Sequence, residues 1–223
     1  MFSYRIENDT VFYSGCITLS QRINNYSCKI VDLSELCWEC ETMNENFMNN
    51  KEVVKIILPR NLDHVVRMMH TFADMDALEE VVFPDTMPEL RNMFGTFEGC
   101  TSLKMTHFPT IAPKLKTTRG TFMNCTSLEE FTFDGNTIIK PVCCANMFKG
   151  CTKLKSLQMN TVSFEKIVNM RAMCEGCISL IEFSNYNDPA NHSIPITNSD
   201  VSCYRNAMKD CPLNSQLCWA LFR

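Results

Sequence analysis

Apolar residues recur along this chain with a long period laid over a short one. The short period is two: in Leu128-Glu129-Glu130-Phe131-Thr132-Phe133, Phe131 and Phe133 alternate with polar neighbours, the pattern of a short strand with one buried face. The long period is 25 to 26 residues. Phe72, Phe97, Phe122 and Phe148 are 25, 25 and 26 residues apart, and Cys174 follows after another 26. Three residues after each comes Met75, Cys100, Cys125, Cys151 or Cys177, and three further on comes Leu78, Leu103, Leu128, Leu154 or Leu180. The register extends back through Phe47 with Val53, Ile56 and Leu58, then through Cys28 with Val31 and Leu33. It extends forward to Cys211 with Leu217 and Trp219. Each unit reads C-x-x-L-x-x-L-x-L, and the spacing predicts about seven or eight copies.

Pro84 and Pro109 end two of the strands, as proline does at a strand edge. The return segments, such as Lys166 to Met173, carry apolar residues three to four apart, which predicts short helical or 3₁₀ stretches on the convex side. The expected fold class is therefore α/β: a right-handed leucine-rich-repeat solenoid with short parallel strands on its concave face. One unit cannot bury both its strand face and its phenylalanine, so neighbours must cover them. Each stacked phenylalanine contributes roughly 1.5–3 kcal/mol by burial. In the cysteine column a small polarizable side chain packs against its equivalents above and below.

The ends need caps. Residues 1–24 read as an N-terminal hairpin, with Phe2 to Ile6 and Thr10 to Tyr13 flanking Glu7-Asn8-Asp9. Residues 25–211 are the solenoid and 212–223 a C-terminal cap. Cys177 and Cys211 are 34 residues apart, so extra residues bulge out near 185–199, beside Asp188-Pro189 and Ile194-Pro195.

The phrase F-x-x-C-x-x-L-x-x-L-x-L resembles the BspA-like, treponemal-type branch of leucine-rich repeats. Asn146-Met147-Phe148 is also similar to the methionine-rich repeat of microbial surface proteins. This resemblance implies a curved parallel-sheet solenoid with an interaction role, often displayed on a microbial surface.

Composition narrows the reading further. Apolar residues are 45% and charged residues 21% of the chain, enough for a core, and the net charge of −4 argues against a nucleic-acid footprint. Met1 to Ser20 carries Arg5, Glu7 and Asp9 and has no apolar core of a secretory leader, and no apolar run is long enough to span a bilayer. The expected location is thus a reducing cytoplasm, including that of a host cell reached by a signal-independent route. Fourteen cysteines are then expected as free thiols.

Chemistry has few anchors. Cys37-Trp-Glu-Cys40 and Cys174-Glu-Gly-Cys177 have the spacing of a zinc half-site or redox pair, but by register both fall on core positions. Cys143-Cys144 reads as one buried and one exposed thiol. Asp63-His64 has no nucleophile tied to it, and a cysteine paired with His107 is the residual enzymatic reading. Glycine-rich phosphate loops and metalloprotease or hydrolase signatures are absent. The glycosylation sequons at Asn8, Asn25, Asn124 and Asn191 are discounted without an export signal. No catalytic residue, metal ligand or cofactor is assigned.

The candidate site is the concave face. Its outward residues are Lys55, Ile57, Glu80, Val82, Met105, His107, Glu130, Thr132 and Gln158, flanked by Ile30, Asp32, Ser156, Glu182, Ser184, Gln216 and Cys218. Eight strands make a face roughly 34 Å long, enough for a protein partner. Ile57, Val82 and Met105 form an apolar strip ringed by Lys55, Glu80 and His107. Glu79, Glu80, Glu129, Glu130 and Glu182 make the face acidic, which favours a basic partner; the alternative reading is that they serve only to keep the chain soluble. The leading functional reading is a non-enzymatic protein-interaction module of the microbial effector kind; a cell-surface adhesion protein is the alternative and a cysteine-based enzyme the third. The register itself is testable by denaturant unfolding. Phe122→Ala is expected to cost roughly 3–5 kcal/mol and Glu130→Ala little; comparable losses overturn it.

Overall fold

The structure is a computed structural model that describes residues 2–18, 23, 27–133, 139–159, 161–163, 166–184 and 204–213, with Phe2 and Met105–His107 described for their backbone only. The insertion near 185–199, most of the C-terminal cap and the strand expected at Gln216 to Cys218 lie outside these residues.

Among the described residues nine strands follow in order: β1 (Phe2–Glu7), β2 (Thr10–Ile17), β3 (Ile30–Trp38), β4 (Lys55–Ile57), β5 (Glu80–Val82), β6 (Met105–His107), β7 (Glu130–Thr132), β8 (Ser156–Gln158) and β9 (Glu182–Ser184). β1 and β2 pair antiparallel around Asn8-Asp9, whose φ angles of 48° and 63° are both left-handed, as a two-residue I′ turn requires. From β2 onward all pairing is parallel, in one sheet of β1–β6 and a second of β7–β9. The ladder advances by one unit per strand: Ile56 opposes Val31 and Val81, and Leu157 opposes Phe131 and Phe183. The long strand β3 carries a bulge where Phe12 and Ser14 oppose Asp32 and Glu35, and Asp32 Oδ1 accepts the Ser34 N–H at 2.8 Å there.

The convex side departs from the sequence expectation. Among the described residues there is no α-helix. The return segment of each unit is a run of turns in which two left-handed residues stand four apart: His70 and Asp74, Gly95 and Gly99, Gly120 and Asn124, Asn146 and Gly150, Ala172 and Gly176. A left-handed residue every fourth position prevents helix from propagating. The backbone groups are satisfied along the solenoid axis instead. The N–H groups of Met93, Gly95, Phe97 and Gly99 donate to the carbonyls of Thr117, Arg119, Thr121 and Met123, at 2.8–3.0 Å. Those of Thr118, Gly120, Phe122 and Asn124 donate to Cys143, Ala145, Met147 and Lys149 in turn. Apolar spacing of three to four thus reflects the width of a turn, not the pitch of a helix.

The core between the two sides is a set of columns. Phe47, Phe72, Phe97, Phe122 and Phe148 are buried and stacked, with centroids 5.1–5.5 Å apart and planes within 23° of parallel. In the cysteine column the thiols also act as donors. Cys100, Cys125, Cys151 and Cys177 each donate to the carbonyl of the phenylalanine one unit earlier, Phe72, Phe97, Phe122 and Phe148, at 3.0–3.1 Å. Phe97 O also accepts the Cys100 N–H, so one carbonyl closes its own turn and ties on the next unit. The buried threonines before Phe72, Phe97 and Phe122 work similarly: Thr96 Oγ1 donates to Met68 O at 2.7 Å and Met93 O at 2.9 Å. All twelve cysteines among the described residues are free thiols.

Burial pushes the Cys100 and Cys144 thiols up to about 12, and those of Cys125 and Cys151 well above the ordinary value of 9.0. A thiol whose folded value is raised contributes nothing while both states keep the proton. Above about pH 9 the unfolded chain ionises and the folded chain does not, so stability falls with rising pH. Thermal melts under reducing conditions are expected to show a loss of roughly 1.4 kcal/mol per such thiol at about pH 10. Cys125→Ala is expected to flatten that decline.

Candidate functional site

The concave face is built by the central residue of each short strand pointing inward. Ile56, Val81, Phe131 and Leu157 are buried, and this turns the residues on either side outward. In-register pairing then assembles two columns. Lys55, Glu80 and Met105 follow one another in the first; Ile57, Val82 and His107 follow in the second. Glu130 with Ser156, and Thr132 with Gln158, repeat the arrangement in the second sheet. The break between sheets falls between β6 and β7.

Ile57 and Val82 are direct cross-strand neighbours, each half-buried. The backbone of Met105 opposes Glu80 rather than Val82, so Met105 stands in register with the column of Lys55 and not with that of Ile57 and Val82. Beside it, Lys55 Nζ reaches Glu80 Oε2 at 2.7 Å, with both side chains about one-third exposed. Thr132 is half-buried, and Glu130 and Gln158 are exposed.

The acidic character read from the sequence is largely neutralised between units. Glu79 pairs with Lys104 at 2.9 Å, Glu80 with Lys55, and Glu129 with Lys155 at 2.7 Å. The Lys155 ammonium holds the Glu129 carboxyl below its usual range, and the carboxylate raises Lys155 in return. Such pairs are invisible in a local window because the partners are 25 or 26 residues apart. Among the described residues Glu130 and Glu182 make no ion pair and remain exposed acids.

Two features escaped the sequence reading. A cavity of about 340 Å³ lies on the return-segment side, lined by Arg119, Lys149, Arg171 and Glu175, with Lys149 paired to Glu175 at 3.3 Å. Cys37 is not a core residue: β3 continues to Trp38, so Leu36, Trp38 and Cys40 point inward while Cys37 points to solvent. Cys177 and Cys174 are buried as the register requires, and Cys143 is half-buried beside buried Cys144. His64 is half-buried on the return side, far along the repeat from His107.

The model of the BspA type leucine-rich repeat region matches residues 41–178 as six copies. That is fewer than the seven or eight read from the sequence, the match leaving out the units that the register places at Cys28 and Cys211. The fold is similar to the crystal structure of a leucine-rich repeat protein from T. pallidum. The identity is 21% and the TM-score 0.56, over 82% of this chain and 78% of that one. A leucine-rich cell surface protein from Faecalibacterium prausnitzii A2-165 is also matched, at 13% identity and a TM-score of 0.36, over 83% of this chain and 53% of that one. No curated protein sequence matches. With six copies of the family's repeat spanning well over half its length, the chain belongs to the BspA-type leucine-rich repeat family.

Proposed function

We propose that this chain is a non-enzymatic protein-interaction module that binds through its concave face. The observation that carries the reading is the in-register row of outward residues, with Ile57 and Val82 side by side and the Lys55–Glu80 pair at their edge. An apolar centre with a charged rim is the common anatomy of a protein contact. Parallel strands fix those side chains on a rigid surface, so binding costs little ordering entropy. The family is one of repeat arrays, and the thiols of the central column are buried and committed to carbonyls. The neutralised rim removes the main argument for a strongly basic partner; Glu130 and Glu182 leave a preference for local positive charge near β7 and β9.

Membership of the BspA-type family favours display on a cell surface over action as an effector. Free buried thiols suit either setting. Protease shaving of intact producing cells discriminates: release of peptides from this chain supports display, and full protection with recovery in the cytosol overturns it.

Affinity capture with the native chain beside an Ile57→Asp, Val82→Asp, Met105→Asp variant tests the binding face, after matching melting curves. A partner retained by the native chain is expected to be lost by the variant, by a factor of about a hundred or more in affinity. Equal capture by both overturns the concave-face reading and directs attention to the pocket around Arg119, Lys149 and Arg171.

A further inference from the structure

We propose that Cys16, Cys37 and Glu39 form a binding site for a thiophilic divalent cation of the zinc type, fastening the N-terminal hairpin to the first unit of the solenoid. The two thiols come from adjacent strands, and the parallel register of β2 and β3 sets Cys16 directly against Cys37. Glu39 follows Cys37 by two residues and presents its carboxylate on the same face, while its N–H donates to Ile17 O at 2.9 Å. Cys37 Sγ lies 3.8 Å from Glu39 Oε1, and the three donor atoms all lie within 4.8 Å of one another. Two thiolates on one tetrahedral zinc stand about 3.8 Å apart, and a thiolate and a carboxylate oxygen about 3.5 Å apart. Small side-chain rotations therefore bring the set to metal-binding distances without moving the backbone.

Three further points single out this cluster. Most of the buried thiols have a place in the repeat: those of Cys100, Cys125, Cys151 and Cys177 face a phenylalanine carbonyl in a dry interior. Cys16 and Cys37 stand outside that column, so packing of the repeat does not account for them. Cys37 and Glu39 are exposed and Cys16 is half-buried, which gives a cation a path to all three. Among the described residues, no other group of three His, Cys, Asp or Glu side chains converges this closely. Two soft sulfurs and one oxygen select zinc or cadmium over calcium or magnesium. With three protein ligands, the fourth position of a tetrahedral ion is left to water or to an atom of another molecule.

The test is a cadmium titration of the native chain in a non-thiol reductant, following thiolate-to-metal charge-transfer absorption in the ultraviolet. Saturation at one equivalent is expected, with displacement by zinc and not by magnesium. The Cys16→Ser, Cys37→Ser double variant is expected to lose the band, and Glu39→Gln to weaken binding about tenfold or more. Absence of a band in the native chain, or an undiminished band in the double variant, overturns the proposal. Site-mapped alkylation of the unmodified native chain covers the case in which the double variant does not fold. Zinc is expected to slow labelling of Cys16 and Cys37 at least tenfold and to leave Cys143 unchanged; no such selectivity overturns the site.

Discussion

The structure depends on hydrogen bonds that run along the axis of the array. On the return side every second N–H of a unit donates to the next unit, from Met43 through Gly150, and on the inner side the short strands do the same. On the return side each unit therefore leaves alternate N–H groups for a neighbour's carbonyls to satisfy. Three-residue strands such as β4 and β5 have too few bonds to hold alone. They persist because the return segment is pinned at the same spacing, and the phenylalanine stack fills the volume between the two ladders. Order in one part of a unit fixes the register of the others.

The columns were legible in the sequence because a fixed period forces identical environments to recur in the same place. Phe72, Cys100, Leu103 and their equivalents are all fully buried, and the outward residues at Lys55, Glu80 and Ile57, Val82 stand in register as the spacing required. The return segments were misread because turns and helices both place apolar residues three or four apart. The discriminating signal was present: Gly, Asn or Asp stands at the second left-handed position throughout, as at Asn49, Asp74 and Gly176, and at both in some units, at Gly95 and Gly99, Gly120 and Asn124, Asn146 and Gly150. Those residues tolerate the left-handed region that a helix excludes. The ion pairs across units, such as Glu79 with Lys104, required the register to be applied to charged positions as well as apolar ones.

Cysteine has two roles here. In the core it is a small apolar residue with a usable donor, closing the second lone pair of a phenylalanine carbonyl that a leucine or alanine would leave unmet. On the first strands of the array it stands free of the column, where its sulfur chemistry is open to solvent. Counting cysteines could not separate these roles, and the period alone placed Cys37 on the wrong side. The bulge in β3 shifts the alternation by one residue after Leu33, and that shift is what turns Cys37 outward.

The axial ladders also bear on how such a chain changes over generations. Because the return segment and the strand both bond to the equivalent residues of the next unit, removing or duplicating one 25-residue stretch at any phase brings matching edges together. The inner face would lengthen or shorten by one strand spacing, about 4.8 Å, while every remaining column stays aligned. Array length is thus a quantity that recombination can adjust in fixed steps, independently of the side chains that face a partner.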